Sequence, residues 1–399
     1  MSGTGGAEVR LRLASGLSSF DRFCIPPLLV PIAGDLGLSL GDVALIATAY
    51  FVAYGVSQPF WGVLSDRVGR VTVLRGAAIG GAVACAVAAS TSDFALLVAS
   101  RAVAGLCFAA LIPTSIVYVA DAVRGPRQQH ALAVLMASSS AGIACATVLA
   151  GLLAEFASWR LAFATSAVLA AALTVVLTSL PEPRREPGRL PLRAQARETL
   201  RRPWAGIVLG IGFVEGLVIF GALTFVAAAL QQDGVSAAVA GSAAAGFGLA
   251  NVLCTPLVTR AIRVFSPQTR IRLGAALAAA GLLAAGLATT VVSTLTATVC
   301  LGAGFGLMHS TMQLWATQVN PGARALTVSL FSGSIFSGAA VASALAAPLA
   351  DDGRFSAIFL VAAGCAVVLA VGAAALRRRW GRARERGPEP PAAIGAVPL

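Results

Sequence analysis

The sequence contains no lysine, and charged residues of every kind make up only 12% of its 399 positions. Without lysine a G-x-x-x-x-G-K phosphate loop cannot exist, which excludes an ATPase of that design. A soluble domain carries about 25% charged residues, so the deficit points to lipid as the solvent. Histidine is almost absent, with only His130 and His309. No second His or carboxylate sits at i+3 or i+4 from His309, and no nucleophile clusters with a base. The chain is therefore not read as an enzyme, and no metal or cofactor is expected. The seven cysteines (Cys24, Cys85, Cys107, Cys145, Cys254, Cys300, Cys365) lie in apolar stretches and form no C-x-x-C pair. A disulfide framework or metal site is not expected from them, and they read as small apolar fillers.

What is present is hydrophobic, 57% of the chain. Crossing a bilayer takes about 20 mostly apolar residues. Such runs fall at 13–33, 43–61, 73–92, 94–117, 131–154 and 160–180, then at 204–229, 236–258, 271–290, 294–316, 325–348 and 354–376. Each must be a helix, because lipid leaves no partner for an unpaired backbone group. Arg10 and Arg12 precede the first run and no small-residue cleavage site closes it, so it reads as a span rather than a signal peptide. The expected fold is an all-α membrane protein with twelve transmembrane helices.

Arginine sets the orientation. With the N-terminus inside, the inner segments hold Arg10 and Arg12, Arg67 to Arg75, Arg124 and Arg127, a run between 184 and 202, Arg260 to Arg272, Arg324, and a run between 377 and 386. The outer segments hold only Arg160 and Arg354. Positive charge stays on the cytoplasmic side, so both termini are expected there, in an inner membrane. These charges lie in short clusters between apolar runs, not on one folded face, which argues against a nucleic-acid partner. The domain reading is a six-helix bundle over 1–180, a cytoplasmic linker over 181–203 rich in Pro and Arg, and a second bundle over 204–376. The tail over 377–399, Arg-rich then Pro-rich, reads as disordered.

The two bundles also correspond in sequence. A shift of 194 residues places Ala131-Leu132 on Ala325-Leu326, Ser138 on Ser332, Ser140 on Ser334, Arg160 on Arg354 and Asp21 on Glu215. Two pseudo-symmetric six-helix halves are the pattern of transporters whose substrate path runs between them.

After the second span comes Gly62-Val63-Leu64-Ser65-Asp66-Arg67-Val68-Gly69-Arg70-Val71-Thr72-Val73-Leu74. Gly62 and Gly69 permit a tight turn and close helix approach. Asp66 can cap the next helix or pair with an Arg of the loop. This segment resembles the loop signature between helices two and three of the major facilitator superfamily, departing from it at Val71. Arg101 with Gly105 resembles the R-x-x-x-G core of another family motif, associated with proton transfer. Trp159-Arg160 with Phe163 resembles the usual start of span six. The resemblance covers nearly the whole chain. It implies a small-molecule substrate, drive by a proton gradient, alternating access and a monomer. It also implies that Gly62, Asp66, Arg67, Gly69 and Arg70 latch the halves on the cytoplasmic side when the protein faces outward. In the second half Arg260 stands where Asp66 would, so a symmetrical latch is not expected. The Gly-Pro pair of drug/proton antiporters is replaced by Ala146 and Thr147, which leaves the direction open.

Ionisable groups inside a bilayer cost roughly 2.5–3.5 kcal/mol each and default to functional candidates. Asp21 and Glu215 occupy corresponding positions in the two halves. An apolar cavity disfavours an ionised carboxyl, so each is a candidate proton carrier. Arg101 and His309 join them as proton-coupling candidates, the imidazole because it titrates near neutrality. The alternatives are a structural pair of Asp21 with Arg22 or Arg101, and a packing role for His309. Arg22 and Gln313 are candidate substrate-cavity residues. Proline at 26, 27, 31 and 113 breaks helices where they can line a cavity. Two functions fit. The first is proton-coupled export of a small amphipathic drug or metabolite, with few polar groups expected in the cavity wall. The second is proton-driven import of a small organic anion held by Arg22 or Arg101.

Overall fold

In the computed structural model, residues 2–123, 126–183, 197–199 and 201–385 are described. Twelve helical segments follow one another: α1 (2–36), α2 (Leu40–Val68), α3 (Arg70–Ser90), α4 (Phe94–Ala122), α5 (Arg127–Phe156), α6 (Trp159–Ser179), α7 (Pro203–Gln232), α8 (237–264), α9 (Pro267–Leu287), α10 (Val291–Val319), α11 (Pro321–Asp351) and α12 (Phe355–Glu385). Ten of these are long and apolar enough to cross a membrane, and α8, bent by 49°, makes an eleventh. The twelfth is α1. It carries six charged residues (Glu8, Arg10, Arg12, Asp21, Arg22, Asp35) and is broken at Pro26–Leu28, where two consecutive prolines supply no backbone N–H. At 1.5 Å per residue it still reaches roughly 50 Å, ample for a hydrocarbon core of about 30 Å.

The turns between spans carry their own stop and start signals. Ser39, Asp93, Ser158, Ser236 and Ser266 each accept a hydrogen bond from the first turn of the helix that follows. Thr290 and Ser293 form a reciprocal capping box at the start of α10. Gly69 has φ +112°, in the region that favours glycine, which is why α2 can reverse into α3 with no intervening loop.

Within the first half α1 packs on α5, α3 on α4 and α6, and α2 on α4. Within the second, α7 packs on α11, α8 on α10, and α9 on α10 and α12. Two broad contacts join the halves, α2 with α11 and α5 with α8. The 194-residue shift turns one of these pairs into the other.

The last helix departs from expectation. It continues to Glu385, nine residues past the predicted end of the span at 376. Arginine is a good helix former, and Trp380, only 8% exposed, anchors the extension against Trp315 of α10 at 6.0 Å. Residues 386–399, and 184–196 with 200 of the linker, lie outside the described residues.

Candidate functional site

The halves enclose a cavity of about 360 Å3. Arg22, Tyr54, Pro113, Ile116, Met136 and Ser140 come from the first half, and Phe220, Asn251, Phe305, His309, Gln313 and Phe336 from the second. A chamber of about 520 Å3 adjoins it, sharing Pro113, Met136, Ser310 and Gln313, and reaches Asp66 and Arg324 on the Arg-rich face. Apolar side chains dominate the walls, but Ser139, Ser140, Asn251, Thr255, Thr259, Ser310 and Ser329 interrupt them. The expectation of few polar lining groups is therefore not met; helix-borne hydroxyls meet here because four helices contribute one face each.

The opposite face is closed. Phe220 packs against Phe23 at 5.7 Å, Phe336 at 5.6 Å and Phe305 at 5.4 Å. Beyond this aromatic floor, Asp351 at the end of α11 accepts hydrogen bonds from the Gly41 backbone N–H (2.5 Å) and from Ser39 Oγ (3.2 Å) at the start of α2. Glu155 at the end of α5 accepts one from the Ala237 N–H at the start of α8 (2.8 Å). A carboxylate of each half thus caps a helix N-terminus of the other, where its charge meets the positive end of the dipole. Gln231 adds a bond to the Pro27 carbonyl at 3.0 Å.

Asp21 and Arg101 form a fully buried ion pair, Oδ2 to Nη2 at 2.6 Å. The second carboxylate oxygen accepts from Cys85 Sγ at 3.1 Å. The guanidinium lies over Tyr50 (5.0 Å) and Phe163 (4.7 Å). Neither residue lines the cavity. Both sit in the interior of the first half, with no access to a substrate between the halves. Successive residues on a helix point about 100° apart, so α1 sends Asp21 inward and Arg22 to the cavity.

Arg22 is 5% exposed, and its guanidinium packs over Phe23, Tyr54 and Phe336 at 5.1, 4.9 and 4.8 Å. Its hydrogen bond goes to Ser19 Oγ at 3.3 Å, and its Nε has no partner. Among the described residues no carboxylate pairs with it. A buried cation held by ring faces keeps its N–H edges available to an acceptor.

Glu215 and His309 are brought together across α7 and α10, Oε1 to Nδ1 at 3.1 Å. Glu215 is wholly buried and its Oε2 has no hydrogen-bond partner. The imidazole stacks on Phe305 at 4.4 Å and lines the cavity. One proton can be shared between the two atoms, and the imidazole connects the buried carboxyl to the cavity. Immediately after Gly216 the backbone widens into a π-helical turn, Leu217–Gly221, which carries Phe220 into the cavity floor; such turns recur at functional sites. Gly216 itself lies where a Cβ would stand 1.7 Å from the Ile335 carbonyl, so α7 and α11 cross backbone to backbone beside Glu215. Gln313 lies one turn beyond His309, where the two chambers meet.

Arg70 of the motif loop forms ion pairs inside the first half. Arg70 binds Asp66 (2.5 Å), Asp121 (3.3 Å) and Ser65 Oγ (3.0 Å). Glu182 caps α3 by accepting from the N–H groups of Arg70 (2.5 Å) and Val71 (3.0 Å). Gly62 lines the second chamber beside Asp66, and Arg67 follows in the last turn of α2. With the halves parted on this face, Arg324 of the second half stands across the chamber from Asp66.

A helical membrane protein with two six-helix halves, joined through two symmetry-equivalent helix pairs around a central cavity, is the architecture of a secondary transporter. Residues 11–321 and 208–398 match the family model described as Major Facilitator Superfamily, and the chain belongs to that family. That family is one of transporters, not of enzymes. The chain is similar to a chloramphenicol resistance protein of Streptomyces lividans, 30% identical over 210 residues, 51% of this chain and 53% of the relative. It also resembles multidrug resistance protein D of Escherichia coli, 30% identical over 165 residues, 40% of each chain. The matched region spans about half or less of the length of these curated relatives. Among solved structures, a nucleoside transporter, NupG (D323A mutant), superposes with TM-score 0.76 at 14% identity, covering 92% of this chain and 99% of its own. A D-xylose-proton symporter superposes with TM-score 0.72 at 17% identity, covering 93% and 97%. At these identities the structural likeness speaks for the fold.

Proposed function

We propose that the chain is a proton-coupled secondary transporter that exports a small amphipathic drug or metabolite by alternating access. The observation that carries this reading is the Glu215–His309 pair, a buried carboxyl joined at 3.1 Å to an imidazole on the cavity wall. A proton enters through His309 and resides on the pair. Its arrival or departure changes the charge beside the α7–α11 crossing and biases which face of the cavity is open. The Arg-rich face is the cytoplasmic one, in the inner membrane with both termini inside, so the present state is inward-open. In the outward-open state α2 and α11 close on the cytoplasmic side, bringing Asp66 toward Arg324. The carboxylate caps at Gly41 and Ala237 then release. Proton and substrate are the cargo, the protein works as a monomer, and no cofactor takes part. The drug-resistance relatives support the outward direction.

One observation favours a second reading. Arg22 puts a guanidinium with no acidic partner among the described residues on the cavity wall, which suits proton-driven import of a small organic anion. Proton movement in proteoliposomes separates the readings. Chloramphenicol, lipophilic cations and aromatic carboxylates are added in turn to wild type and to Glu215→Gln. A substrate-dependent proton signal absent from the variant supports coupling at this site, and its sign distinguishes antiport from symport. An undiminished signal in Glu215→Gln overturns the assignment.

A further inference from the structure

On the Arg-rich face of the second half, the ends of α9 and α12 line a pocket of about 700 Å3 that shares no residue with the substrate cavity. Its walls are Arg377, Arg378, Arg382 and Arg384 of α12 and the first turn of α9, Ser266 to Gln268. Arg270, one turn further along α9, is only 6% exposed, and its Nε has no hydrogen-bond partner. The Nε of Arg377 is likewise buried and unpartnered. Among the described residues no carboxylate pairs with any of these guanidinium groups.

The arginines are held in place by rings. Arg377 lies over Trp380 at 4.4 Å and Trp315 at 5.6 Å, and Arg384 over Trp380 at 5.5 Å. Stacking occupies the faces of the guanidinium planes and leaves their N–H edges free. Several like charges, two of them with buried unsatisfied donors, are unfavourable together unless an anion lies among them. The positive end of α9 adds to the same field. Planar N–H forks match phosphate oxygens in particular.

We propose that this pocket binds the phosphate of an anionic phospholipid headgroup. A free phosphate ion shares the chemistry, but the location selects the lipid. The pocket lies at the end of two spanning helices, beside a tryptophan where such residues mark the membrane interface. Both helices expose apolar side chains along their length, among them Leu273, Leu277, Val367 and Val371, against which acyl chains can lie. Arginines clustered at the cytoplasmic end of a span meet the anionic leaflet.

Native mass spectrometry of the full chain in detergent tests this, with phosphatidylglycerol and phosphatidylethanolamine added separately, and with inorganic phosphate as competitor. Wild type is compared with the double variant Arg378→Gln/Arg382→Gln, two exposed positions whose loss leaves the helix packing intact. The expected result is a phosphatidylglycerol adduct on wild type, weakened roughly tenfold or more in the variant at about 1 kcal/mol per Arg, with phosphatidylethanolamine far weaker. A melting shift with phosphatidylglycerol, present in wild type and absent from the double variant, gives the same answer in solution. Equal binding of the two lipids, or unchanged adducts in the variant, overturns the proposal. Inorganic phosphate binding in place of the lipid also overturns it, by making the free ion the ligand.

Discussion

Replacing Arg101 by Gln strands the Asp21 carboxylate in the interior of the first half, where both residues are 0% exposed. Breaking a buried ion pair from one side costs about 3–5 kcal/mol, because the remaining charge is uncompensated. The lost stacking on Tyr50 and Phe163 adds about 1 kcal/mol. Asp21→Asn strands the guanidinium instead and carries a similar penalty. The double variant Asp21→Asn/Arg101→Gln removes both charges and recovers most of the loss. Thermal unfolding in detergent reads this directly. Each single variant melts on the order of 10 °C below wild type, and the double variant falls between. Since neither residue reaches the cavity, the double variant, once folded, keeps its substrate-dependent proton signal. Single variants that melt like wild type refute the structural role. So does an Asp21→Asn protein of normal stability that has lost proton coupling, since Asp21 is then the carrier.

Asp351→Asn or Glu155→Gln removes a carboxylate cap that ties the halves together on the closed face. Each variant shifts the protein toward the outward-open state, measured as faster labelling of a cysteine introduced near the cavity floor; unchanged labelling contradicts the closure role. Gly216→Ala places a Cβ 1.7 Å from the Ile335 carbonyl. It forces α7 from α11 and abolishes transport or folding, while Gly210→Ala, with nothing within 4 Å, leaves both intact; equal effects of the two contradict the crossing. Hydrogen bonds from Arg160, then Trp159, hold the Asp35 carboxyl below its ordinary value at the closed face. A depressed carboxyl stabilises above its unfolded value and loses that contribution as pH falls through the folded one. The melting difference between wild type and Asp35→Asn is therefore constant from pH 6 to 8 and vanishes only below about pH 4.

Much of this architecture was legible in residue order. Span positions followed from apolar runs, because lipid requires them, and Gly69 marked the turn between the second and third spans. The motif loop was readable because its glycines and charges serve a local turn. What could not be read was side-chain direction around a helix. Asp21 and Arg22 are neighbours, and only packing decides which one meets the cavity. Glu215 and His309 are 94 positions apart, and their pairing depends on how α7 and α10 sit in the bundle. The cross-half caps by Asp351 and Glu155 were invisible for the same reason. Glycines four residues apart on α7 also differ in what they meet: Gly212 and Gly216 approach α11, while Gly206 and Gly210 face open space. The Arg run after residue 376 looked like a tail because charge dominated it, and its anchor, Trp380, is a single residue.

In the proposed cycle one proton is carried by the Glu215–His309 pair. The direct measurement is the substrate gradient reached in proteoliposomes as a function of an imposed pH gradient, for wild type, Glu215→Gln and His309→Gln. For the proposed cycle of one proton per substrate, with the membrane potential clamped at zero, each pH unit is worth about 1.4 kcal/mol, or tenfold in substrate ratio. Wild type is expected to show a slope near one on logarithmic axes, and Glu215→Gln a slope of zero while still exchanging substrate across the membrane. A wild-type slope preserved in Glu215→Gln contradicts the account.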